Sequence, residues 1–299
     1  MAPNLVVWRL LQQHAEMRPD TDRCPGLQHR LDTWAHKCAT IMSMPFAASH
    51  FRLNMFRQCP RRYKLHYLDG LARDYAKARP YITMGEHVHG ALHDLFLLPV
   101  QERSEERLVQ LMRDRWRRNR RGFADLAEER SYGQKATAQL QRFARTEDLS
   151  IQPLALEDFH KVEIDATLAL LGKIDRIDRE GNGLLHIIDY KTGTPRRPEP
   201  LQLQIYGLIA SVEFDPPAIR TSYRHLESGD CFTLQVTEET KAWALEDVRR
   251  QVALIVAEKE YAPNPGPLCA FCDFLEICPE GRGFVESHHA ALRAEPPFD

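Results

Sequence analysis

Acidic and basic side chains interrupt two apolar runs in the segment LLGKIDRIDREGNGLLHIIDYKTGTP, which extends from Leu170 to Pro195. If Asp175 and Asp189 faced one site, their carboxylates would repel each other unless a cation lay between them. Lys191 could supply that charge, and so could Mg²⁺ or Mn²⁺, which bind carboxylate oxygens. Because an isolated aspartate and lysine pair is more often a surface ion pair, the surrounding sequence has to decide between these interpretations.

A second chemically distinctive segment is CAFCDFLEICP, from Cys269 to Pro279. Cys269, Cys272 and Cys278 have the close spacing of metal ligands. A tetrahedral zinc site or an iron-sulfur cluster usually takes four protein ligands, so one ligand is missing from this segment. The spacing therefore predicts a metal site whose fourth ligand lies elsewhere in the chain.

A β-hairpin is predicted to position the two aspartates. The turn sequence EGNG separates two runs rich in Ile and Leu, which predicts two adjacent antiparallel strands. Counting outward from this turn brings Asp175 and Asp189 within reach of each other across the strand pair. Residues 189 and 191 point to the same face of a strand, so Asp189 and Lys191 would be presented together.

Two amphipathic helices carry further polar side chains. In YITMGEHVHGALHDLF, His89 falls at the edge of the apolar stripe, and His93 lies farther towards solvent. In LQLQIYGLIA, Gln202 and Tyr206 are four residues apart and share one helix face. Each of these residues alone would more often be a packing or surface residue, and only their combination with the acidic hairpin indicates a site.

The apolar pattern predicts an α/β or α+β fold in which one mixed β-sheet is flanked by helices. Predicted helices cover about residues 49–58, 84–98, 200–212 and 239–258, with further helical stretches between 104 and 149; predicted strands cover about 159–178 and 184–190, with a strand pair around 219–236.

The chain divides into three parts. Residues 1–43 lack sustained periodicity and are expected to be a loosely ordered extension, or to precede a true translation start at Met44. Residues 44–280 form the predicted main domain. Residues 281–299 are rich in charge and Pro, which predicts a loosely ordered tail.

Composition predicts a soluble protein. Hydrophobic residues make up 43% of the chain, but no run approaches the length of about 18 apolar residues that a membrane span needs. The N-terminus lacks the pattern of a secretory signal, so a cytoplasmic location is expected. Thiols in a reducing cytoplasm stay free or bind metal, so Cys24, Cys38 and Cys231 are expected to be free.

Positive charge is concentrated in RDRWRRNRR, from Arg113 to Arg121. The net charge of −2 offers no overall attraction to nucleic acid, so any such attraction would be local. A solvated helix face is the commoner explanation of a charge run, and a surface for phosphates and bases that uses Trp116 is the alternative.

Taken in order, GEHVH, GKIDRID, IDYKTG and QLQIY resemble the successive motifs of the PD-(D/E)XK nuclease superfamily, in particular its RecB-like branch. The resemblance extends from about Ala48 to Pro279 and implies a restriction-endonuclease-like core. It implies that His89 binds metal, that Asp175 is the acid of a G-x-I-D-R motif, and that Asp189 and Lys191 form the D-x-K pair.

On the same resemblance, Asp175, Asp189 and Lys191 would be catalytic. Mg²⁺ or Mn²⁺ would be bound by His89, by the two aspartates and by the backbone carbonyl of Tyr190. The resemblance further implies that Gln202 and Tyr206 match a Q-x-x-x-Y motif, which packs beside the site and helps to position DNA.

The resemblance also suggests the missing cysteine ligand. Cys59 lies near the start of the domain in FRQCPRRYKLHY. In iron-sulfur members of this branch, one early cysteine joins a C-terminal triplet to hold a 4Fe-4S cluster, and Cys59, Cys269, Cys272 and Cys278 look like that set. Such a cluster would close the domain as a structural staple. Zn²⁺ is the alternative, because the ligand types alone permit both metals.

The implied function is a Mg²⁺- or Mn²⁺-dependent deoxyribonuclease, an exonuclease in DNA repair or recombination that acts on single-stranded DNA or DNA ends. The chain contains no G-x-x-x-x-G-K-[ST] motif, so unwinding would need a helicase subunit as a partner. In this context Arg117 and Arg118 are expected to contact DNA. The alternatives are a CRISPR-adaptation-type nuclease, which shares the cysteine spacing, and a non-catalytic module that binds DNA or a helicase.

Overall fold

The computed structural model describes residues 44–193 and 199–288. The predicted N-terminal extension, residues 1–43, and the last part of the predicted tail lie outside these described residues.

A mixed sheet lies at the centre of the described chain. Its strands are β1 (Phe46–Ala48), β2 (Ala155–Glu163), β3 (Leu168–Arg179), β4 (Leu185–Lys191), β5 (Ile219–His225) and β6 (Cys231–Val236). They lie in the order β1-β3-β4-β5-β6, and β2 pairs with β3. The β1/β3 and β4/β5 pairs are parallel and the other pairs are antiparallel, so the predicted mixed sheet is confirmed.

Helices cover both faces of this sheet, as predicted. They are α1 (His50–Gln58), α2 (Pro60–Tyr63), α3 (Ala72–Tyr75), α4 (Pro80–Leu97), α5 (Glu105–Arg118), α6 (Leu126–Thr146), α7 (Leu201–Phe214), α8 (Glu238–Ala257) and α9 (Pro279–His288). Shorter helical turns lie at Lys64–Leu68, Val100–Glu102, Pro267–Phe271 and Leu275–Ile277. Among the helices of the described segments, none combines the length and the apolar character needed to cross a membrane.

Two buried clusters hold these layers together. On one face, α1, α7 and α8 contribute Leu53, Ile205 and Val248 to a cluster with the sheet. On the other face, α4, α5 and α6 pack their apolar stripes together and against Tyr190 of β4. Since β4 contributes to both clusters, its residues are held from both sides.

The predicted hairpin is formed by β3 and β4. Its turn is closed by hydrogen bonds from Gly183 N–H to the Glu180 carbonyl (2.8 Å) and from Glu180 N–H to the Leu184 carbonyl (2.9 Å). Gly183 has a φ of +84°, a left-handed conformation that glycine adopts without a steric penalty. Arg176 pairs with Ile188, so the next step of the register sets Asp175 opposite Asp189.

The helical stretches predicted between 104 and 149 are confirmed as α5 and α6, but two other predicted boundaries were wrong for local reasons. The segment predicted as one strand over 159–178 is two strands, because Asp165 accepts the Thr167 N–H (2.7 Å) in a tight turn between them. Pro279–His288 form a helix where a loose tail was expected, and Gly281 is buried in that helix beside the sulfurs of Cys269 and Cys278.

Candidate active site

The candidate site lies where one edge of β3 is left without a partner strand. β2 pairs along one edge of β3, from Ala169 to Ile177. On the opposite edge, β1 pairs with residues 168–170 and β4 pairs with residues 176–179. Residues 171–175 therefore have no paired strand on this edge, and Asp175 ends the gap.

One histidine and two carboxylates form a compact group at this point. His89 of α4 places its Nδ1 atom 3.3 Å from Asp175 Oδ1 and 3.5 Å from Glu157 Oε1. Ligand atoms of the three residues all lie within 4.8 Å of one another. A set of imidazole and carboxylate ligands suits divalent cations such as Mn²⁺ and Mg²⁺.

Glu157 is a site residue that the sequence pattern did not predict. It lies on β2 opposite Asp175, because the flanking pairs are Leu156 with Arg176 and Asp158 with Ile174. Glu157 has a φ of +51°, and a left-handed conformation costs a non-glycine residue about 1–3 kcal/mol. The predicted strand began at residue 159, and the acidic run ALED shows no alternation that would have indicated a strand.

Asp189 and Lys191 lie on one face of β4, as predicted, and Gln202 of α7 joins them. Lys191 Nζ lies 3.0 Å from Asp189 Oδ2 and donates to Gln202 Oε1 at 3.0 Å. Gln202 Nε2 donates in turn to Asp189 Oδ1 at 2.9 Å. Asp189 is buried, so the Lys191 ammonium beside Oδ2 is what balances its charge.

Tyr206 fixes this network to the sheet. Its hydroxyl accepts a hydrogen bond from Gln202 Nε2 (2.9 Å) and donates to the Lys173 carbonyl of β3 (2.7 Å). A Cβ atom on Gly172 would lie 3.0 Å from the Tyr206 ring and 2.9 Å from Ile209, so the glycine of GKIDR lets α7 approach β3 closely. Gln202 and Tyr206 thus orient Asp189 and Lys191.

Tyr190 contacts the site through its backbone. Its N–H donates to Asp175 Oδ2 at 2.8 Å, which orients that carboxylate. Its ring lies in the cluster with α4 and α6 and contacts Phe143 and His89. The Tyr190 carbonyl stays a predicted metal ligand.

Ionisation of the site residues reflects their burial and their neighbours. Burial lowers the pKa of His89, but Asp175 and Glu157 overcome this and raise it to about 10. Burial raises the pKa of Asp189 to about 6, against the lowering effect of Lys191. Burial opposes ionisation of Glu157, yet hydrogen bonds from His89 and Lys173 lower its pKa to about 2. Perturbed groups clustered in this way are typical of functional sites.

The four cysteines of the predicted cluster line one cavity, next to Arg62 and Gly281. Backbone N–H groups point at two of the sulfurs: Arg62 N–H and Asn264 N–H lie 3.4 and 3.5 Å from Cys59 Sγ, and Gly266 N–H lies 3.4 Å from Cys269 Sγ. Within residues 44–193 and 199–288, no three cysteine sulfurs lie within 4.8 Å of one another. The structure therefore brings the four thiols to one cavity.

The arginine run lies away from these residues. Arg117 and Arg118 are exposed at the end of α5, beside a groove between α5 and α6. The alternative in which Trp116 is available to bases was wrong: the side chain is 9% exposed, stacks on Phe123 and donates to Glu129 (3.1 Å). The tryptophan is buried because it lies on the apolar stripe of the amphipathic helix.

The comparison with protein-family models agrees with the motifs. The sequence model of the PD-(D/E)XK nuclease superfamily matches residues 47–279. A crystal structure named "Putative exonuclease" from Eubacterium rectale is 14% identical, covers 84% of this chain and 90% of its own, and has a TM-score of 0.45. A crystal structure of SSO0001 is 19% identical, covers 52% of this chain and 79% of its own, and has a TM-score of 0.28.

A search of curated proteins found no match. The assignment therefore rests on the family match, which covers most of the chain and all of the site residues described above. The chain belongs to the PD-(D/E)XK nuclease superfamily.

Proposed function

We propose that this chain is a metal-dependent DNA nuclease of the RecB-like type, an exonuclease that acts in DNA repair or recombination in the cytoplasm. The observation that carries the proposal is the Lys191 ammonium, held 3.0 Å from the buried Asp189 carboxylate beside the group of His89, Glu157 and Asp175. A lysine, a carboxylate and a cation-binding group that lie together beside the unpaired edge of β3 suit phosphodiester hydrolysis.

The donor set fits Mg²⁺ or Mn²⁺. Ligand atoms of His89, Glu157 and Asp175 lie within 4.8 Å of one another, which is close enough for one divalent cation to contact all three. His89, Asp175, Asp189 and the Tyr190 carbonyl are the proposed ligands, and Glu157 is added to them. A bound ion would polarise a phosphoryl oxygen and lower the pKa of a coordinated water.

The remaining groups position reactants and balance charge. Gln202 holds both Asp189 and Lys191, so it sets the direction of the ammonium relative to the carboxylate. Lys191 orients the attacking water or stabilises the negative charge that builds up on the phosphoryl oxygens. Gln202 and Tyr206 are the proposed DNA-positioning residues, because they line the cleft that also contains Lys191.

End-labelled DNA tests this proposal. Single-stranded and blunt duplex oligonucleotides, labelled at either the 5′ or the 3′ end, would be incubated with the purified chain in Mg²⁺, in Mn²⁺ and in EDTA. The proposal predicts cleavage in both metals and none in EDTA, with label released at the ends if the enzyme is an exonuclease. A protein that binds these DNAs but leaves them intact in both metals would instead be the non-catalytic module.

Glu157→Gln is expected to weaken Mn²⁺ binding by about 10- to 100-fold, a loss typical when a group that supports a metal site is removed. In the parent, affinity should rise about tenfold per pH unit between pH 7 and 8, where His89, with a pKa of about 10, still releases one proton on ligation and Asp189, with a pKa of about 6, is already ionised. Titration calorimetry at several pH values measures both effects.

The matched control for this experiment is Glu163→Gln, which changes an exposed glutamate on the same strand. It should bind Mn²⁺ as the parent does. Equal affinities of the parent and Glu157→Gln at every pH would remove Glu157 from the site.

A 4Fe-4S cluster held by Cys59, Cys269, Cys272 and Cys278 is the second part of the proposal. It is supported by their shared cavity and by the N–H groups that point at two of the sulfurs. Cys59 lies 210 residues before Cys269. A link between them would stabilise the fold by restricting the unfolded chain, as a long-range disulfide does.

Anaerobically purified protein is expected to absorb visible light and to contain about four iron and four sulfide per chain. Cys59→Ser should lose most of the iron and lower the melting temperature, because one ligand is gone. Cys231→Ser is the matched control, since Cys231 is exposed on β6 and does not line the cavity. Colourless protein that contains one zinc per chain would show that the four cysteines bind Zn²⁺ and would contradict the 4Fe-4S cluster.

A double variant with Arg117→Ala and Arg118→Ala is expected to show a weaker dependence of DNA affinity on salt concentration than the parent. Each lost phosphate contact reduces the slope of log affinity against log salt by about 0.7–0.9. Anisotropy titrations at several salt concentrations, with cleavage blocked by EDTA, give the slope. An unchanged slope would identify the run as a solvated helix face.

A further inference from the structure

A cleft of about 640 Å³ adjoins the candidate active site. Lys191, Gln202 and Tyr206 are among its lining residues, so the cleft is continuous with the site. Its other walls come from α1 and α2, from the start of α4, from β2 and β3, and from the cysteine-bearing segment that includes Phe271.

Two phenylalanines are exposed in this cleft. Phe51 of α1 is 57% exposed and Phe159 of β2 is 67% exposed. They are the exposed phenylalanines in the part of the chain that the structure describes, and both line this cleft. The exposed part of each ring gains no burial energy from the core, so both rings remain available to an apolar partner.

Positive charge accompanies the rings. Arg62, Arg79, Lys173 and Lys191 line the cleft, and Asp273 is the acidic residue among its lining side chains in the described chain. Asp273 is already paired with Arg79 at 2.5 Å. Lys173 lies opposite Phe159 in the strand register and is 62% exposed, so its ammonium is accessible beside the ring although it also pairs with Glu157.

We propose that Phe51 and Phe159 stack on unpaired bases and make this cleft a binding site for single-stranded DNA; this inference deepens the nuclease function proposed above and rests on it. Aromatic faces with neighbouring cations are the usual surface for a single strand, since every base offers a face and every nucleotide a phosphate. In a duplex the bases already stack on one another, so their faces are not available to these rings.

Binding measurements in EDTA test the proposal without cleavage. A fluorescein-labelled oligothymidylate and a blunt duplex of two separate strands, equal in phosphate number, would be titrated with Phe51→Ala, Phe159→Ala and the parent. Each substitution is expected to weaken single-strand binding about 5- to 150-fold, which converts to ~1–3 kcal/mol per stacked base. Duplex binding should change less than about twofold, because a duplex offers no free base face. Phe159→Trp should restore single-strand affinity.

The matched control is Trp243→Ala, since Trp243 is 60% exposed on α8 and does not line the cleft. Its affinities should equal those of the parent.

Unchanged single-strand affinity in both alanine variants would overturn the inference, and so would an equal loss of affinity for single strand and duplex. If the parent cleaves DNA while these variants bind normally, the inference alone fails. If binding depends on the rings but no metal supports cleavage, the proposed nuclease function fails instead.

Discussion

Lys191→Met is expected to lower the rate of DNA cleavage at saturating Mg²⁺ by about 100- to 1,000-fold, the loss that follows removal of one transition-state donor. The ammonium lies 3.0 Å from Asp189 Oδ2 and is held by Gln202, so it is already oriented before substrate binds. Methionine keeps the length and flexibility of the side chain but provides no charge. Single-turnover kinetics measure the cleavage step itself.

The matched control is Lys161→Met, which changes a half-exposed lysine on β2. It should cleave like the parent. Because Asp189 is buried, the loss of Lys191 also removes charge balance, so melting temperatures in Mg²⁺ would be compared to exclude unfolding as the cause. If a folded Lys191→Met protein cleaves DNA at the rate of the parent, the lysine has a structural role only.

Arg176→Met is expected to lower the free energy of unfolding by about 3–5 kcal/mol, because it leaves Asp178 as an unpaired buried charge. Arg176 is 1% exposed, and its Nε and Nη2 atoms donate to the two Asp178 oxygens, each at 2.7 Å. The guanidinium also lies 4.2 Å above the Phe96 ring. Urea denaturation followed by circular dichroism measures the loss.

A second variant separates the charge effect from the packing effect. Arg176→Met combined with Asp178→Leu removes both charges, and it should recover a large part of the lost stability. A double variant as unstable as the single one would show that packing around Phe96, rather than the unpaired carboxylate, dominates. The arginine of the GKIDRID motif would in both cases be structural, since its charge lies within the fold.

The hairpin could be predicted because its determinants are local. The turn residues set the register, and alternation along a strand then places Asp189 and Lys191 on one face. His89, Gln202 and Tyr206 could be placed on helix faces by periodicity, but their approach to the hairpin depends on the packing of α4 and α7 on the sheet. That packing was inferred from the family resemblance, because no local pattern specifies it.

Glu157 could not be predicted because its position depends on a left-handed backbone inside a strand and on pairing with β3. Residues with this conformation are uncommon, and propensity gives no indication of them.

The cleft that contains the exposed phenylalanines could not be predicted either. Phe51 and Phe159 are far apart in sequence, and only the folded chain brings both to one cleft. The burial of Trp116, in contrast, was predictable from the local sequence. The surrounding arginines suggested a DNA surface, but Trp116 lies on the apolar stripe of α5, which buries its ring.

The measurement that tests the central claim most directly is cleavage of end-labelled DNA by the parent and by Asp189→Asn, each in Mg²⁺ and in EDTA. Asparagine keeps the shape of Asp189 but removes the charge that Lys191 and a bound cation would share. The account predicts products from the parent in Mg²⁺ alone. Equal cleavage by a folded Asp189→Asn protein, or cleavage by the parent in EDTA, would contradict it.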